Sequence, residues 1–238
     1  MNPIDQVSVD PAQGAATTGA TEAHASQWSW VPIRSLGPRH HDRIVAHLLS
    51  LEESDRYLRF GYPATDAQIA RYVDTLDFDQ DEVFGVFNRR LELIAMAHLA
   101  HPNAPADPQR GAMAEFGVSV VRKARGRGFG ARLFEHSVLH ARNRGVQTLF
   151  IHALSENTAM LRIARKAGAT VERSGSESEA HVRLPDATLD TRMTEIVEEQ
   201  LAQTDYRLKV QAKQFWDFLG AVQEIRRGVR DARDQSSP

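Results

Sequence analysis

The segment from residue 122 to residue 130 has the residue types and the spacing of an anion-binding turn. It reads Arg-Lys-Ala-Arg-Gly-Arg-Gly-Phe-Gly and joins a strand-like pattern to an amphipathic helical pattern. In such a turn, the backbone N–H groups and the dipole of the following helix can bind a pyrophosphate. The glycines let phosphate groups approach the backbone, and Arg125 and Arg127 add positive charge. A tight strand-to-helix connection would also explain the glycines, so the turn alone leaves both interpretations open.

The spacing of these glycines excludes two common nucleotide motifs. A Walker loop needs Gly-Lys-Ser or Gly-Lys-Thr after four intervening residues, and no such triplet follows here. A dinucleotide-binding turn needs two residues before its last glycine, whereas the glycines at 126, 128 and 130 alternate with single residues. Neither kind of nucleotide site is therefore predicted.

The longer pattern around the turn resembles the GNAT superfamily of N-acetyltransferases. The acetyl-CoA signature of that family, Arg/Gln-x-x-Gly-x-Gly/Ala, is matched by Arg125, Gly128 and Gly130. Downstream, Asn157 opens a predicted helix that ends in Lys-Ala-Gly at residues 166–168, which is similar to the Asn-led helix of the family.

The resemblance extends upstream and covers about residues 30–184. Residues Ser54 to Phe60 are similar to the segment that precedes the sheet in the bacterial protein-acetyltransferase branch. The implied fold is α/β and GNAT-like, with a mixed, mostly antiparallel central sheet flanked by helices. Further helices are expected at the C-terminus.

The resemblance implies that acetyl-CoA binds at the turn as a co-substrate. Its pyrophosphate would lie on the backbone amides of the turn, and its pantetheine arm would pair like an added strand with the preceding β-strand. The implied contact residues are Val118, Val120, Arg125, Gly126, Arg127, Gly128, Phe129, Gly130, Ala131 and Asn157. Asn157 also fits the N-cap of the following helix, which is an alternative role for its side chain.

The resemblance also implies catalytic roles. Glu115 occupies the position of a general-base glutamate, and a partly buried carboxylate can take the proton of an ammonium group; the alternative is an ordinary surface glutamate. The backbone N–H near Val120 is the expected donor to the oxyanion. Many family members protonate the leaving CoA with a tyrosine where this chain has Ala164, so water is expected to serve here. Tyr57 and Arg59 are implied to line the acceptor pocket.

The implied function is an acetyl-CoA-dependent N-acetyltransferase. Its acceptor would be a protein lysine, an α-amine or a small molecule. The chain has no cysteine, so an acetyl-cysteine intermediate is excluded and direct transfer to the amine is expected. The alternative is a non-catalytic CoA-binding regulatory or interaction module, which the missing tyrosine and the long C-terminal extension favour.

Periodic patterns along the chain indicate which elements position these residues. Residues 1–27 have scarcely any large apolar side chains and are predicted to form a disordered tail. Strand-like and helix-like patterns alternate over residues 28–185, which we expect to form the acetyltransferase-like domain. Residues 186–238 have apolar side chains at helical intervals and are predicted to form one long helix or two. They would pack on the domain or form a homodimer through Phe215, Trp216, Phe218 and Leu219.

Two polar features outside the turn are interpreted as surface. Asp77, Asp79 and Asp81 imitate the start of a calcium loop, but the glycine and the glutamate that such a loop requires are absent. We therefore interpret residues 74–82 as a solvated acidic loop. His136 and His140 lie four residues apart on a predicted helix without a carboxylate nearby in sequence, and we interpret them as its exposed face. No metal site is predicted.

Composition narrows the classes of partner. The chain has 29 lysines and arginines against 31 aspartates and glutamates, a net charge of −2, which argues against binding to nucleic acid or anionic lipid by bulk charge. No run approaches the roughly 18 apolar residues of a membrane span. Together with the absence of cysteine, these features favour a cytoplasmic protein without a nucleic-acid or membrane partner.

Overall fold

The computed structural model describes residues 31–102 and 112–235, with side chains described up to Gln214. The predicted tail over residues 1–27 lies outside this part of the chain. The described strands are β1 (Ile33–Leu36), β2 (Glu82–Phe87), β3 (Leu93–Ala100), β4 (Met113–Val120), β5 (Thr148–Leu154), β6 (Thr170–Ser174) and β7 (Glu177–Arg183). The described α-helices are α1 (His41–Leu49), α2 (Glu53–Phe60), α3 (Asp66–Asp74), α4 (Phe129–Asn143), α5 (Thr158–Lys166) and α6 (Leu189–Gln235).

The strands form one mixed, mostly antiparallel sheet. Their order is β1-β2-β3-β4-β5-β7-β6, and every neighbouring pair is antiparallel except β4 and β5. The parallel pair is short, since it extends only from Met113 opposite Thr148 to Glu115 opposite Phe150. The two strands therefore separate beyond Glu115. The predicted fold class is confirmed.

Two hydrophobic cores lie on the two faces of the sheet. On β4, Ala114 and Phe116 join the core that contains Leu133 and Phe134 of α4. The opposite face of the sheet packs against α1 and α3, where Ile44 and other apolar side chains are buried. Because side chains alternate along a strand, Glu115, Gly117 and Ser119 share the face that looks toward α1, α2 and α3.

Local signals in the sequence explain where two helices begin. The Thr65 hydroxyl accepts a hydrogen bond from the Gln68 backbone N–H at 3.4 Å, and the side-chain Oε1 of Gln68 accepts one from the Thr65 backbone N–H at 2.9 Å. This reciprocal capping box starts α3 at Asp66. Asn157 caps α5 with a single bond, in which its Oδ1 accepts from the Met160 N–H at 3.1 Å.

The C-terminal extension is a single helix, α6, and its first half packs on the domain. Ala202 is buried, and the Tyr206 ring contacts the Phe87 ring edge-on, with 5.4 Å between their centroids. The opposite side of this half exposes large apolar side chains: Leu189, Met193, Ile196, Val197, Leu201 and Leu208. The side chains of residues 215–219, predicted to form a dimer surface, lie outside the described part of α6.

The acidic segment differs from its interpretation as a wholly solvated loop. The Asp81 carboxylate is largely buried and lies 3.0 Å from His98 Nε2. Glu82 is the first residue of β2 and is 9% exposed. Its carboxylate accepts from His140 at 2.8 Å and pairs with Arg144. The interpretation is wrong at these two residues because cationic and histidine partners from β3 and α4 pair with the carboxylates.

The interpretation of His136 and His140 as an exposed helix face is also wrong. Both side chains are buried, and their rings lie 4.7 and 4.6 Å from the Phe84 ring, centroid to centroid. Two carboxylates of α6 cover their polar side: Glu198 lies 2.8 Å from His136 Nδ1, and Glu195 lies 3.2 Å from His140 Nδ1. We call this contact region, together with Glu82 and Arg144, which pair at its edge, the α4–α6 interface.

Candidate active site

A cleft of about 330 Å³ opens where β4 and β5 separate. Its walls come from both strands, from the end of α2 and the residues after it, and from the start of α5. Glu115, Val118 and Asn157 are among the lining residues. Arg59 lines it as well, so the structure brings together four of the residues that the sequence singled out. We call this space the β4–β5 cleft.

The edge of β4 that faces the cleft has free backbone groups. The Val121 N–H donates to the Ile94 carbonyl at 3.0 Å, which fixes the hydrogen-bonding register against β3. In an antiparallel ladder alternate residues bond to the partner strand, so the N–H and C=O groups of Val118 and Val120 point away from β3. The Val120 carbonyl accepts from Arg125 Nε at 3.2 Å. The Val118 groups and the Val120 N–H face the side where β5 has diverged.

The glycine-rich turn leads from β4 into α4 and presents unpaired N–H donors. Gly126 and Gly128 have φ values of +74° and +79°, a conformation that favours glycine. The first intrahelical donor is Arg132, whose N–H bonds to the Gly128 carbonyl at 3.0 Å. In the described chain, the N–H groups of residues 129–131 have no backbone acceptor, and the first turn of α4 has no acidic residue. This arrangement suits an anion.

The arginines of the turn have different surroundings. Arg125 pairs with the buried Asp55 carboxylate of α2 in addition to its bond to the Val120 carbonyl. Its guanidinium therefore fixes the turn against α2 and β4. The Arg127 guanidinium lies 4.9 Å from the centroid of the Phe129 ring, and its side chain is exposed. Arg127 is thus available to solvent without an ion-pair partner in the described chain.

Asn157 lies at the cleft and also caps α5. Its side-chain oxygen accepts from the Met160 N–H, while its Nδ2 group makes no hydrogen bond within the described residues. The two roles considered for Asn157 use different atoms of the same amide. The cap is therefore present, and an amide donor is left at the cleft.

Glu115 lies at the point where the two strands part. It is the last residue of β4 paired with β5, opposite Phe150, and its side chain is exposed. Within the described residues its carboxylate makes no hydrogen bond or ion pair. The Glu115 carboxylate is therefore accessible from the cleft, and within the described residues it makes no polar contact that would stabilise the fold.

A polar network that the sequence did not reveal borders the cleft. Arg59 Nη2 donates to the Tyr72 hydroxyl at 2.8 Å, and that hydroxyl lies 2.8 Å from His98 Nδ1. His98 Nε2 in turn contacts Asp81. Burial lowers the pKa of His98, although the bond to Asp81 opposes this shift. The four residues come from α2, α3, β3 and the segment before β2, so no local spacing could indicate the network.

The Arg59 guanidinium lies close against Gly117 of β4. A Cβ atom built at Gly117 would lie 2.8 Å from the guanidinium carbon of Arg59, closer than real contacts allow. Arg59 lines the cleft and makes no ion pair with a carboxylate within the described residues. Of the tyrosines in this region, Tyr62 lines the cleft, whereas Tyr57 is not among its lining residues in the described chain.

A buried histidine–serine pair lies behind the β4 strand. His47 Nδ1 donates to the Leu93 carbonyl at 2.9 Å, so its Nε2 accepts from the Ser119 hydroxyl at 2.8 Å. Burial lowers the pKa of His47 to about 4, against the effect of the bond to Leu93. Both side chains are buried, and the pair connects α1 to β4.

Ala164 is fully buried in the core between α5 and the sheet. A tyrosine would have no space at this position without displacing core side chains. Helix α5, over Thr158–Lys166, contains no tyrosine, histidine or cysteine. The described part of this helix therefore supplies no side chain that would protonate a departing thiolate near neutral pH.

The described residues contain neither a cluster of metal ligands nor a helix that could cross a bilayer. No group of three or more histidine and acidic side chains there has an arrangement that would hold a metal ion. No helix of residues 31–102 and 112–235 has the length and hydropathy required to span a bilayer.

Comparisons with known structures agree with the fold. The GNAT domain of S. lividans PAT is 22% identical, with a TM-score of 0.55 over 64% of this chain and 89% of that one. A GNAT-family acetyltransferase from Streptococcus pneumoniae is 14% identical, with a TM-score of 0.52 over 66% of this chain and all of that one. At such identities the likeness shows the fold alone.

The sequence comparisons identify the family. No curated protein sequence matches the chain significantly. A family model described as an acetyltransferase (GNAT) domain matches residues 31–170, which is more than half of the chain. This chain therefore belongs to the GNAT acetyltransferase family, whose activity is acyl transfer.

Proposed function

We propose that this protein is an acetyl-CoA-dependent N-acetyltransferase that transfers the acetyl group directly to an amine. The observation that carries the proposal is the presence of three features along β4 and the turn that follows it, beside the β4–β5 cleft. These are a free strand edge, a turn with unpaired N–H donors, and an unpaired carboxylate at Glu115.

The cofactor contacts follow from the backbone. The N–H groups at the start of α4, on Phe129, Gly130 and Ala131, would hold the pyrophosphate together with those of residues 126–128. The Arg125 N–H already donates to the Arg122 carbonyl at 3.2 Å and would not contribute. The pantetheine arm would pair with the main chain of Val118 and Val120. The free Nδ2 group of Asn157 would donate to the arm from the other side of the cleft.

The chemistry requires a neutral amine and stabilisation of a tetrahedral oxyanion. Bound acetyl-CoA supplies the thioester that is attacked. Glu115 would accept the ammonium proton, directly or through one water molecule. The Val120 N–H would donate to the oxyanion. A thiolate whose conjugate acid has a pKa of about 8.5 is a fair leaving group, so water would be sufficient to protonate it.

The acceptor would meet opposite charges in the cleft. Arg59 has no carboxylate partner in the described chain, and Glu115 has no cationic one. An amine that also bears an anionic group would therefore place its ammonium at Glu115 and its anion at Arg59. Among the expected acceptors, this favours an amine with a nearby carboxylate over an isolated lysine side chain.

The decisive experiment is thiol release from acetyl-CoA across a panel of amines, with Glu115→Gln as the control variant. The proposal expects turnover on at least one amine and its loss in the variant, with CoA binding retained. Tight CoA binding without turnover on any amine would instead support a non-catalytic CoA-binding regulatory or interaction module. The buried Ala164 on α5 favours that second candidate. Absence of CoA binding would contradict both.

The division into a tail (1–27), a domain (28–185) and an extension (186–238) remains our proposal, and so does the cytoplasmic location.

The exposed apolar side chains of α6 support a homodimer. Light scattering on the full chain tests the dimer, with Ile196→Lys as the disrupting variant. Thr194→Lys, on an exposed position of the same helix, is the matched control. A monomeric mass for the unmodified chain would contradict the dimer.

A further inference from the structure

A strongly basic pocket lies where β1, the start of α1 and α6 meet. Its volume is about 530 Å³, and it shares no lining residue with the β4–β5 cleft. The residues that matter here are Arg34, Arg39, His40, Arg43, Tyr206 and Arg207. Four of these six are arginines, in a chain whose net charge is −2.

The positive charge of this pocket is not balanced by the protein. Within the described residues, none of the four arginines has a carboxylate oxygen within 4.0 Å. The carboxylate of Glu199 is close enough to influence Arg34, but it is bonded to Ser35 at 3.1 Å and to Gln203 at 3.1 Å. Burial, followed by the charges of the arginines, lowers the pKa of His40 to about 4. His40 is therefore neutral near pH 7, and the arginines alone carry the charge.

Arg34 has buried donors without acceptors. Its side chain is 8% exposed, and neither Nε nor Nη1 has a hydrogen-bond partner in the described chain. The guanidinium stacks on the Tyr206 ring at 3.7 Å from the centroid. Buried N–H groups of a guanidinium are costly unless an acceptor satisfies them. An acceptor supplied by a ligand would remove this cost.

The geometry points to a second ligand site in this pocket, for a small phosphate-bearing anion held by Arg34, Arg39, Arg43 and Arg207. Guanidinium groups match the oxygens of a phosphate with paired N–H donors, and several of them together select a multiply charged anion. The pocket is lined by residues of β1, α1 and α6, so the bound anion would hold α6 against the edge of the sheet. The site is distinct from acetyl transfer at the cleft.

Calorimetric titration of the full chain with inorganic pyrophosphate tests this site. The double variant Arg39→Gln/Arg207→Gln removes two exposed arginines of the pocket, and Arg192→Gln removes an exposed arginine elsewhere on α6. We expect the double variant to lose one binding event or to weaken it more than tenfold, while Arg192→Gln leaves it unchanged. The same event is expected to persist in Gly128→Ala, which alters the turn before α4.

Three outcomes would overturn the assignment. The first is equal pyrophosphate binding in the double variant and the unmodified chain. The second is loss of all pyrophosphate binding in Gly128→Ala, since the turn would then be the only site. The third is tighter binding of citrate than of pyrophosphate at the pocket, which would contradict a preference for phosphate.

Hydrogen exchange supplies a second readout. The backbone amides of residues 199–210 of α6 are expected to exchange more slowly with pyrophosphate present, and the double variant is expected to lose that effect.

Discussion

The β4–β5 cleft and the α4–α6 interface both contain carboxylates, but they differ in how these are paired. The cleft pairs Glu177 with His152 at 3.5 Å, whereas its other carboxylate, Glu115, is left without a partner in the described chain. In the cleft, Glu115 and Arg59 are each without an ion-pair partner in the described chain. In the interface, Glu82 contacts His140 and Arg144, and Glu198 contacts His136. The carboxylates of the interface are paired, whereas Glu115 and Arg59, which we propose meet the acceptor, have no ion-pair partner in the described chain. The basic pocket at β1 resembles the cleft in this respect.

Burial accounts for the difference. Taking the Glu82 carboxylate out of water opposes its ionisation, but the contacts with His101 and His140 outweigh this effect and lower its pKa to about 2. The contact with His136 lowers the pKa of Glu198. A buried carboxylate requires such partners, whereas the exposed Glu115 is stabilised by water. The free state of Glu115 therefore costs the fold little.

The largest expected effect is on catalysis. Glu115→Gln removes the proposed base, and a positioned base contributes about 10²- to 10⁴-fold to a rate. We expect kcat for thiol release to fall by this factor, while the urea midpoint of unfolding stays unchanged because Glu115 makes no bonds in the fold. A fall in stability with unaltered kcat would reverse the assignment of the two regions.

The converse change is Glu82→Gln in the α4–α6 interface. Removing one partner of a buried ion pair typically costs about 3 to 5 kcal/mol. We expect the free energy of unfolding to fall by about this amount, while kcat per folded molecule is retained. Glu135→Gln, at an exposed position of α4, is the matched control and is expected to change stability by less than about 0.5 kcal/mol. If Glu82→Gln were as harmless as this control, the interface would not depend on its charges.

The sequence predicted the elements better than it predicted these partners. Strand and helix periodicity indicated every described strand and α-helix except α2, over Glu53–Phe60, which was missed. Thr65 and Asn157 marked two helix starts because capping is local. The structure brings Glu115, Val118 and Asn157 to one cleft because β4, β5 and the start of α5 are adjacent in the fold, and their roles remain a prediction. In contrast, His136 and His140 meet carboxylates that come more than 50 residues later. No short-range pattern contains that information.

The network of Arg59, Tyr72 and His98 was missed for the same reason. Each residue alone fits an ordinary helix or strand, and their contacts depend on how α2 and α3 cross the sheet. The signal that was available is Gly117, a glycine inside a strand, which often marks the close approach of another group. Here that group is the Arg59 guanidinium.

A smaller effect is expected on the pH dependence of stability. The pKa of His47 is about 4 in the folded protein, against a usual value near 6.5. Below about pH 6.5 His47 takes up a proton in the unfolded chain but stays neutral in the folded protein. The free energy of unfolding therefore falls between about pH 6.5 and pH 4. The shift corresponds to a loss on the order of 3 kcal/mol. We expect His47→Gln to flatten this slope in urea unfolding measured at several pH values.

His41 is the control for that measurement because its shift has the opposite sign. Hydrogen bonds to Asp74 and Asp42 raise its pKa, so its protonation favours the folded state as the pH falls. His41→Gln is therefore expected to steepen the acid-side loss of stability. If His47→Gln also steepened it, folded His47 would be charged rather than neutral, and the buried pair with Ser119 would need a different description.

The smallest expected effect separates two glycines of the anion-binding turn. Gly128 has a φ of +79° with open space around it, so Gly128→Ala is opposed by backbone conformation alone, at about 1–2 kcal/mol. Gly130 lies in the first turn of α4, where an added Cβ would make ordinary contacts with Ile163 and Val120. Gly130→Ala is therefore expected to preserve or slightly raise the free energy of unfolding, since alanine favours a helix. Gly128→Ala is expected to lower that energy and to weaken CoA binding because it redirects the N–H donors. Equal CoA affinities for the two variants would mean that the donors of α4 alone, and not the shape of the turn, bind the pyrophosphate.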